Sequence, residues 1–303
     1  MTTILDIPGT NPSNRFLSLI QEAMASNGYP MLFEEAVKKI IDAIAASYDA
    51  DQAIWELWDA FFNNVVSCPP PYDSHLAILD AVRAQPPIEP KVLRLCSYTE
   101  DDGRLHWSEL PGFVMYWRDM HDILQGWRNW NGVRDPDPGK GISGSQMSIT
   151  GDQLYLRMCI FSAALMKHGG QRGVGDPIMV FFVCRDGLER EHEAPPMLET
   201  KLNSISLEQV RALDIRIAAM WLRDGGWALW NKDDAELREH WGAAFDDKTE
   251  LWPREDGLTP ERWGLWEKRL WDLSTDDNVL DEETRAVVKE AYEVVKAILD
   301  SGE

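Results

Sequence analysis

The chain has 303 residues with 51 acidic against 30 basic side chains, a formal net charge of −21. That balance repels polyanions, and nucleic-acid binding normally depends on basic surface that displaces counterions, so nucleic acid is excluded as a partner. With 44% hydrophobic residues the chain can bury a large core, yet no apolar run approaches the roughly 18 residues of a membrane span, which sets membrane insertion aside.

The start, MTTILDIPGT, lacks the basic and apolar segments of a secretory signal, and a soluble, cytoplasmic protein is expected. Apolar residues then recur at three- and four-residue steps over 13–26 and 31–48, and again over 49–66, predicting three helices. The Cys68-Pro-Pro-Pro71 run stops the third, because proline lacks the amide donor and clashes with the preceding turn. Residues 72–83 read as a fourth helix, and Pro86, Pro87 and Pro90 mark a connector.

Pro111 is expected in the first turn of a helix reaching about Trp130, followed by a mobile Gly/Pro/Ser-rich loop over 131–148. Thr150 with Gln153 forms a capping-box pattern for a helix ending at Gly169-Gly170, and Asp176-Pro177 opens the next. The run Ile178 to Cys184 (IMVFFVC) also fits a buried strand; its Asp-Pro start and polar tail favour a helix. Ser206 with Gln209 caps a helix ending near Trp230, Thr259-Pro260-Glu261 starts one through about Leu273, and Asp281 starts the last, to about Leu299. The expectation is an all-α protein of roughly ten helices, one large domain over 1–303 with no sizeable sheet. Its N-terminal helices fall within 13–85.

Fourteen tryptophans stand out, and Trp55/Trp58, Trp127/Trp130, Trp227/Trp230 and Trp263/Trp266 are each spaced three apart, on one helix face. An indole combines a large apolar area with one N–H donor, so it can build a core or line a pocket, and such pairs serve the core more often. The four cysteines are scattered without C-x-x-C spacing or clustered histidines, so reduced packing residues are expected, and neither a disulfide framework nor a metal site.

Several blocks occur in a familiar order: WSELPG at 107–112, YLRMCIFSAAL at 155–165, DPIMVFFVCRDGLE at 176–189, AAMWLRDGGWALW at 218–230 and LTPERWGLWEKRL at 258–270. Over about 105–300 they resemble a fungal family of all-helical proteins known only as a domain of unknown function, the ERW block with Trp266 being the most specific piece. The W-x-N-L-N-x-F-x-A-R-L pattern of that family is met by an apolar frame from Tyr155 to Leu165, with its two asparagines and its arginine replaced. The resemblance implies a helical fold and a fungal origin, and no reaction.

Catalytic signatures fall away in turn. Asp246-Asp247-Lys-Thr-Glu250 imitates a magnesium-binding acidic box without its second half; Glu189-x-x-His192 is half of a di-iron set and reads as a surface pair. Gly139-Lys140-Gly141 lacks the rest of a P-loop, and no Rossmann fingerprint occurs, so no cofactor is expected.

What remains are polar residues on apolar helix stripes. His121 shares a stripe with Trp117, beside Arg118, and is suited to proton transfer near neutrality. Arg157 can orient a carbonyl or carboxylate. Asp214 lies on the stripe leading to Trp221, where an acid is costly unless Arg211 or an arginine of a neighbouring helix pairs with it. His121, Arg157 and Asp214 are the candidate catalytic residues, with Trp117, Arg118, Trp127, Tyr155, Phe161, Trp221 and Trp227 as candidate substrate contacts. The reading is a cofactor-free cyclase or isomerase of fungal specialised metabolism, of the pericyclase kind, holding an apolar small molecule between indoles by shape and orientation. The alternative is a non-enzymatic protein that binds a protein partner, with the tryptophans serving the core alone.

Overall fold

The computed structural model describes residues 14–92, 96–129, 150–169, 178–190, 205–232, 234–255, 257–277 and 279–302. The predicted loop 131–148, Trp130, Asp176-Pro177 and His192 lie outside them. The described residues form eleven α-helices, a 3-10 turn at Trp107–Glu109, and an isolated bridge between Ile88 and Leu105 in place of any sheet. The all-α class read from periodicity is therefore correct.

The chain groups into two compact units, one from residues 1–125 and 132–161, the other from 126–131 and 162–303. The first holds α1 (Arg15–Ala25), α2 (Pro30–Ala45), α3 (Ala50–Ser67) and α4 (Asp73–Arg83), with most of α5 (Phe113–Trp127) and the first part of α6 (Gly151–Gly169). Side-chain caps start these helices where the sequence places a short polar residue: Asn14 Oδ1 accepts from Phe16 N at 3.0 Å and Asp49 Oδ1 from Gln52 N at 2.9 Å.

Its core is aromatic. Trp58 meets Phe113 edge to face at 5.0 Å, Phe61 meets Phe161 at 5.8 Å, and Phe62 stacks on Tyr116 at 5.7 Å. Such offset and T-shaped pairs set the positive ring edge against the negative face and add to the area term. Trp58 spends its one donor on the Pro111 carbonyl at 2.7 Å, so a fully buried indole leaves no polar atom unmet.

The second unit holds α7 (Ile178–Leu188), α8 (Leu207–Trp230), α9 (Asp234–Phe245), α10 (Pro260–Thr275) and α11 (Glu282–Ser301). α7 and α11 both pack on α8, and α10 packs on α11 and α7. The ambiguous IMVFFVC run is helical, and its lack of amphipathic period follows from burial: Ile178, Val180, Phe181, Val183 and Cys184 are all buried. α9 was not foreseen, because it buries few apolar residues, Leu237 and Phe245 among those described, and its amphipathic period is weak. The capping box at Ser206 and Gln209 forms in both directions.

Helices α7 and α8 approach closely at Gly187. A Cβ there would lie 2.7 Å from the main-chain oxygen of Asp214 and 3.0 Å from Ala218 Cβ. Because the nearer atom belongs to backbone, Gly187→Ala must push the helices apart, an overpacking expected to cost about 1–3 kcal/mol in urea unfolding. An unchanged midpoint would show that the contact yields freely.

Glu189, just past α7, corrects an expectation. It is not a surface residue but fully buried, in a bidentate pair with the equally buried Arg262. Arg262 Nε and Nη2 donate to its two oxygens at 2.7 and 2.8 Å, while Nη1 donates to the Phe245 and Gly257 carbonyls. Trp266 Nε1 and Thr249 Oγ1 donate to the same carboxylate at 2.8 and 3.1 Å. Two buried charges are tolerable only when their lone pairs and protons are satisfied in this way.

Candidate functional site

The candidate residues of the first unit come together only in part. His121 is 3% exposed on α5; its Nε2 lies 3.5 Å from Tyr155 Oη of α6, and its ring is tilted over Trp117 at 5.9 Å. These three form a buried polar spot in an aromatic wall. Arg118 faces out as an exposed side chain, and Phe161 is wholly buried among Phe61, Phe62, Tyr72 and His75.

Arg157 has a different partner set from the one a substrate-orienting role calls for. Its Nη1 donates to the Val66 and Ser67 carbonyls, both at 2.9 Å. These are the last carbonyls of α3, which have no intrahelical donors, and a cation at a helix C-terminus also meets the negative end of the dipole. A structural cap accounts for the position of Arg157.

The second unit contains the arrangement with clearer chemistry. Asp214, two turns into α8, accepts from Arg128 Nε at 3.0 Å and from Arg128 Nη2 at 3.2 Å, a forked contact. The pairing arginine is thus neither Arg211 nor another helix-interior residue, but the residue directly after α5. Both side chains remain in reach of solvent, 20% exposed for Arg128 and 16% for Asp214. Trp127, next in the chain to Arg128, is half-buried; Trp221, seven residues after Asp214 on α8, is fully buried; Trp227 is 42% exposed.

Burial sets the acidity of this carboxyl. Desolvation pushes Asp214 up to about 6, with the nearby Asp186 adding to the rise, while the Arg128 charge and hydrogen bonds pull in the opposite direction without overcoming it. A carboxyl that changes charge near neutrality and touches solvent can both accept and return a proton. Arg128→Gln removes the lowering influence and keeps a donor, so the carboxyl should titrate above pH 6; a carbon-13 NMR titration of the Asp214 carboxyl reads this directly. A fall in the midpoint would show that burial is not the dominant cause.

Sequence reasoning missed His75 of α4, which is 1% exposed, with Nε2 2.9 Å from Asn64 Oδ1 and rings of Phe61, Tyr72 and Phe161 around it. Desolvation lowers it to about 4, so it is neutral at physiological pH. The signal was present, since His75 shares a helical stripe with Ile78, Leu79 and Val82. Among the described residues no group of three or more His, Cys, Asp or Glu side chains is placed to hold a metal ion. The four cysteines are free thiols, and three of them are buried.

Fold and site together define an all-helical, tryptophan-rich protein with a part-buried carboxyl paired to an arginine. No described helix is long and apolar enough to cross a membrane. The chain belongs to the family described as protein of unknown function (DUF3632), whose family model matches residues 58–270. That span begins within α3 and ends within α10, so it takes in the second half of α3 and all of α4, upstream of the resemblance seen in the sequence. No curated protein and no solved structure matches the chain.

Proposed function

We propose that this protein is a cofactor-independent cyclase or isomerase acting on an apolar small molecule, with Asp214 as the proton-transferring carboxyl. The observation that carries this reading is the Asp214 carboxyl itself, solvent-accessible, held by the Arg128 fork and pushed up to about 6. Arg128 supports the ionised form and fixes its orientation, so that proton transfer does not require the side chain to be found in a new position at each turnover. The half-buried indole of Trp127 beside Arg128 offers an apolar face with a negative π-surface, suited to an unsaturated hydrocarbon skeleton or a developing cation. His121 and Tyr155 lie in the first unit and have no assigned step in this reading.

The test uses unsaturated apolar compounds of the kind made in fungal specialised metabolism. Binding is followed by indole fluorescence and conversion by mass-resolved chromatography. Asp214→Asn should lower turnover about 10²–10⁴-fold, the usual contribution of a positioned acid or base, with the dissociation constant nearly unchanged. Full turnover in that variant, or the absence of any fluorescence response across the set, would overturn the proposal.

A further inference from the structure

At the corner where α3 gives way to α4, a half-buried thiol stands beside a guanidinium with donors to spare. Arg157 of α6 uses Nη1 on the Val66 and Ser67 carbonyls. Among the described residues nothing accepts from its Nε or Nη2, and no carboxylate comes within ion-pair distance of it. The side chain is half-buried, and these two donors are not shut away from solvent. Two other arginines of the molecule show what such an edge takes. Arg128 and Arg262 each turn Nε and Nη2 to the two oxygens of one carboxylate, at 3.0 and 3.2 Å and at 2.7 and 2.8 Å. Arg157 presents the same edge with its rotation already fixed from the far side by the end of α3, so little freedom is left to lose on binding.

The groups around this guanidinium feel its charge. Burial pushes the Cys68 thiol up while Arg157 pulls it down, and the same opposition acts on the Tyr72 phenol. Both belong to one bonded corner. The Tyr72 hydroxyl donates to the Cys68 carbonyl at 3.3 Å, and the Cys68 thiol lies 3.7 Å from Asn64 Oδ1, which also meets His75 Nε2. His75 Nδ1, almost wholly buried, is likewise without a partner. The acids nearest along the chain are Asp73, exposed at the start of α4, and Asp152, five residues before Arg157 and round the helix from it. Neither pairs with Arg157, so its charge is left uncompensated at contact range.

We infer that the Nε and Nη2 edge of Arg157 binds the carboxylate of a small organic acid, with the Cys68 thiol at its flank. A planar two-oxygen group meets both donors in parallel, as the other two forks do. Phosphate can also bridge such an edge, but it carries more negative charge toward a chain of net −21 and is repelled more strongly. Burial keeps the thiol protonated, so the site is one of binding and the sulfur is its reporter. It lies within the first unit and is independent of the Asp214 reading.

The probes are iodoacetate and iodoacetamide, similar in size and different in charge, applied to the full chain at mildly alkaline pH. Each forms a thioether between its methylene carbon and the Cys68 sulfur, with iodide leaving and the thiol proton passing to solvent. The other three thiols are buried, and peptide mapping assigns the label to Cys68. Iodoacetate should react about tenfold faster than iodoacetamide, the gain of one charge-assisted contact, against the repulsion of the whole chain. Arg157→Gln should abolish that preference. Any loosening of the α3 end in this variant raises both rates alike, so their ratio still reads the charge. Arg157→Lys keeps a charge without the fork and should retain part of the preference. Propionate should slow iodoacetamide labelling of the parent protein, with inorganic phosphate less effective. No preference for iodoacetate, the same rate ratio in the parent and in Arg157→Gln, or protection by phosphate equal to that by propionate would each overturn the inference.

Discussion

Arg262→Met is expected to lower the unfolding free energy by about 3–5 kcal/mol, the cost of leaving a buried carboxylate without its cation. Glu189 would keep the Trp266 and Thr249 hydrogen bonds but lose the forked contact, and it has no exposure through which water could replace it. Combining Arg262→Met with Glu189→Leu removes the stranded charge, and the double variant should regain a good part of the stability even though both polar partners are gone. Urea unfolding of the three variants measures both effects. A single variant within about 1 kcal/mol of the parent would show that the pair is not a principal tie of the second unit.

The second large effect is acid lability through His75. Its imidazole falls from an ordinary value near 6.5 to about 4 because burial opposes the charged form. Between those values the unfolded chain binds more protons than the folded one, so stability falls as pH is lowered from 6.5 to about 4. The full effect is roughly 3 kcal/mol. Asp214 acts in the opposite direction. Its raised carboxyl holds a proton in the folded state that the unfolded chain has released, and stability falls as pH rises from about 4 to about 6. The two slopes overlap and partly cancel in the parent protein. His75→Leu should unmask the Asp214 slope, giving a protein that gains stability on mild acidification; a parent-like profile in that variant would remove His75 from the account.

The fold was legible because most of its helices carry an apolar stripe and a chemical start signal. Ser206, Thr259 and Asp281 each cap the helix that the sequence assigned to them. α9 escaped for the complementary reason, since a helix that buries little has little period to read. The site was legible at Asp214, where an acid on an apolar face demanded an explanation, but its partner was not. Arg128 sits just beyond the end of α5, and only tertiary packing brings its fork to α8. The indoles divided in a way no spacing announces: Trp117 and Trp221 are core residues at 2% and 0% exposure, while the spacing mates Trp227 and Trp230 differ, one exposed and the other against Trp263 at 5.4 Å. Helical spacing shows which side chains share a face, and what lies opposite that face is decided by the rest of the chain.

The missing side chain at position 187 has a bearing on how the carboxyl at 214 exchanges its proton. With α7 seated directly on the main-chain oxygen of Asp214, the helical step that carries the carboxyl has no slack toward its neighbour. A change of charge there should therefore be met by the Arg128 fork rather than by a shift of the helix. Proton uptake and release at this position should proceed at the pace of solvent, decoupled from the slower motions of the bundle.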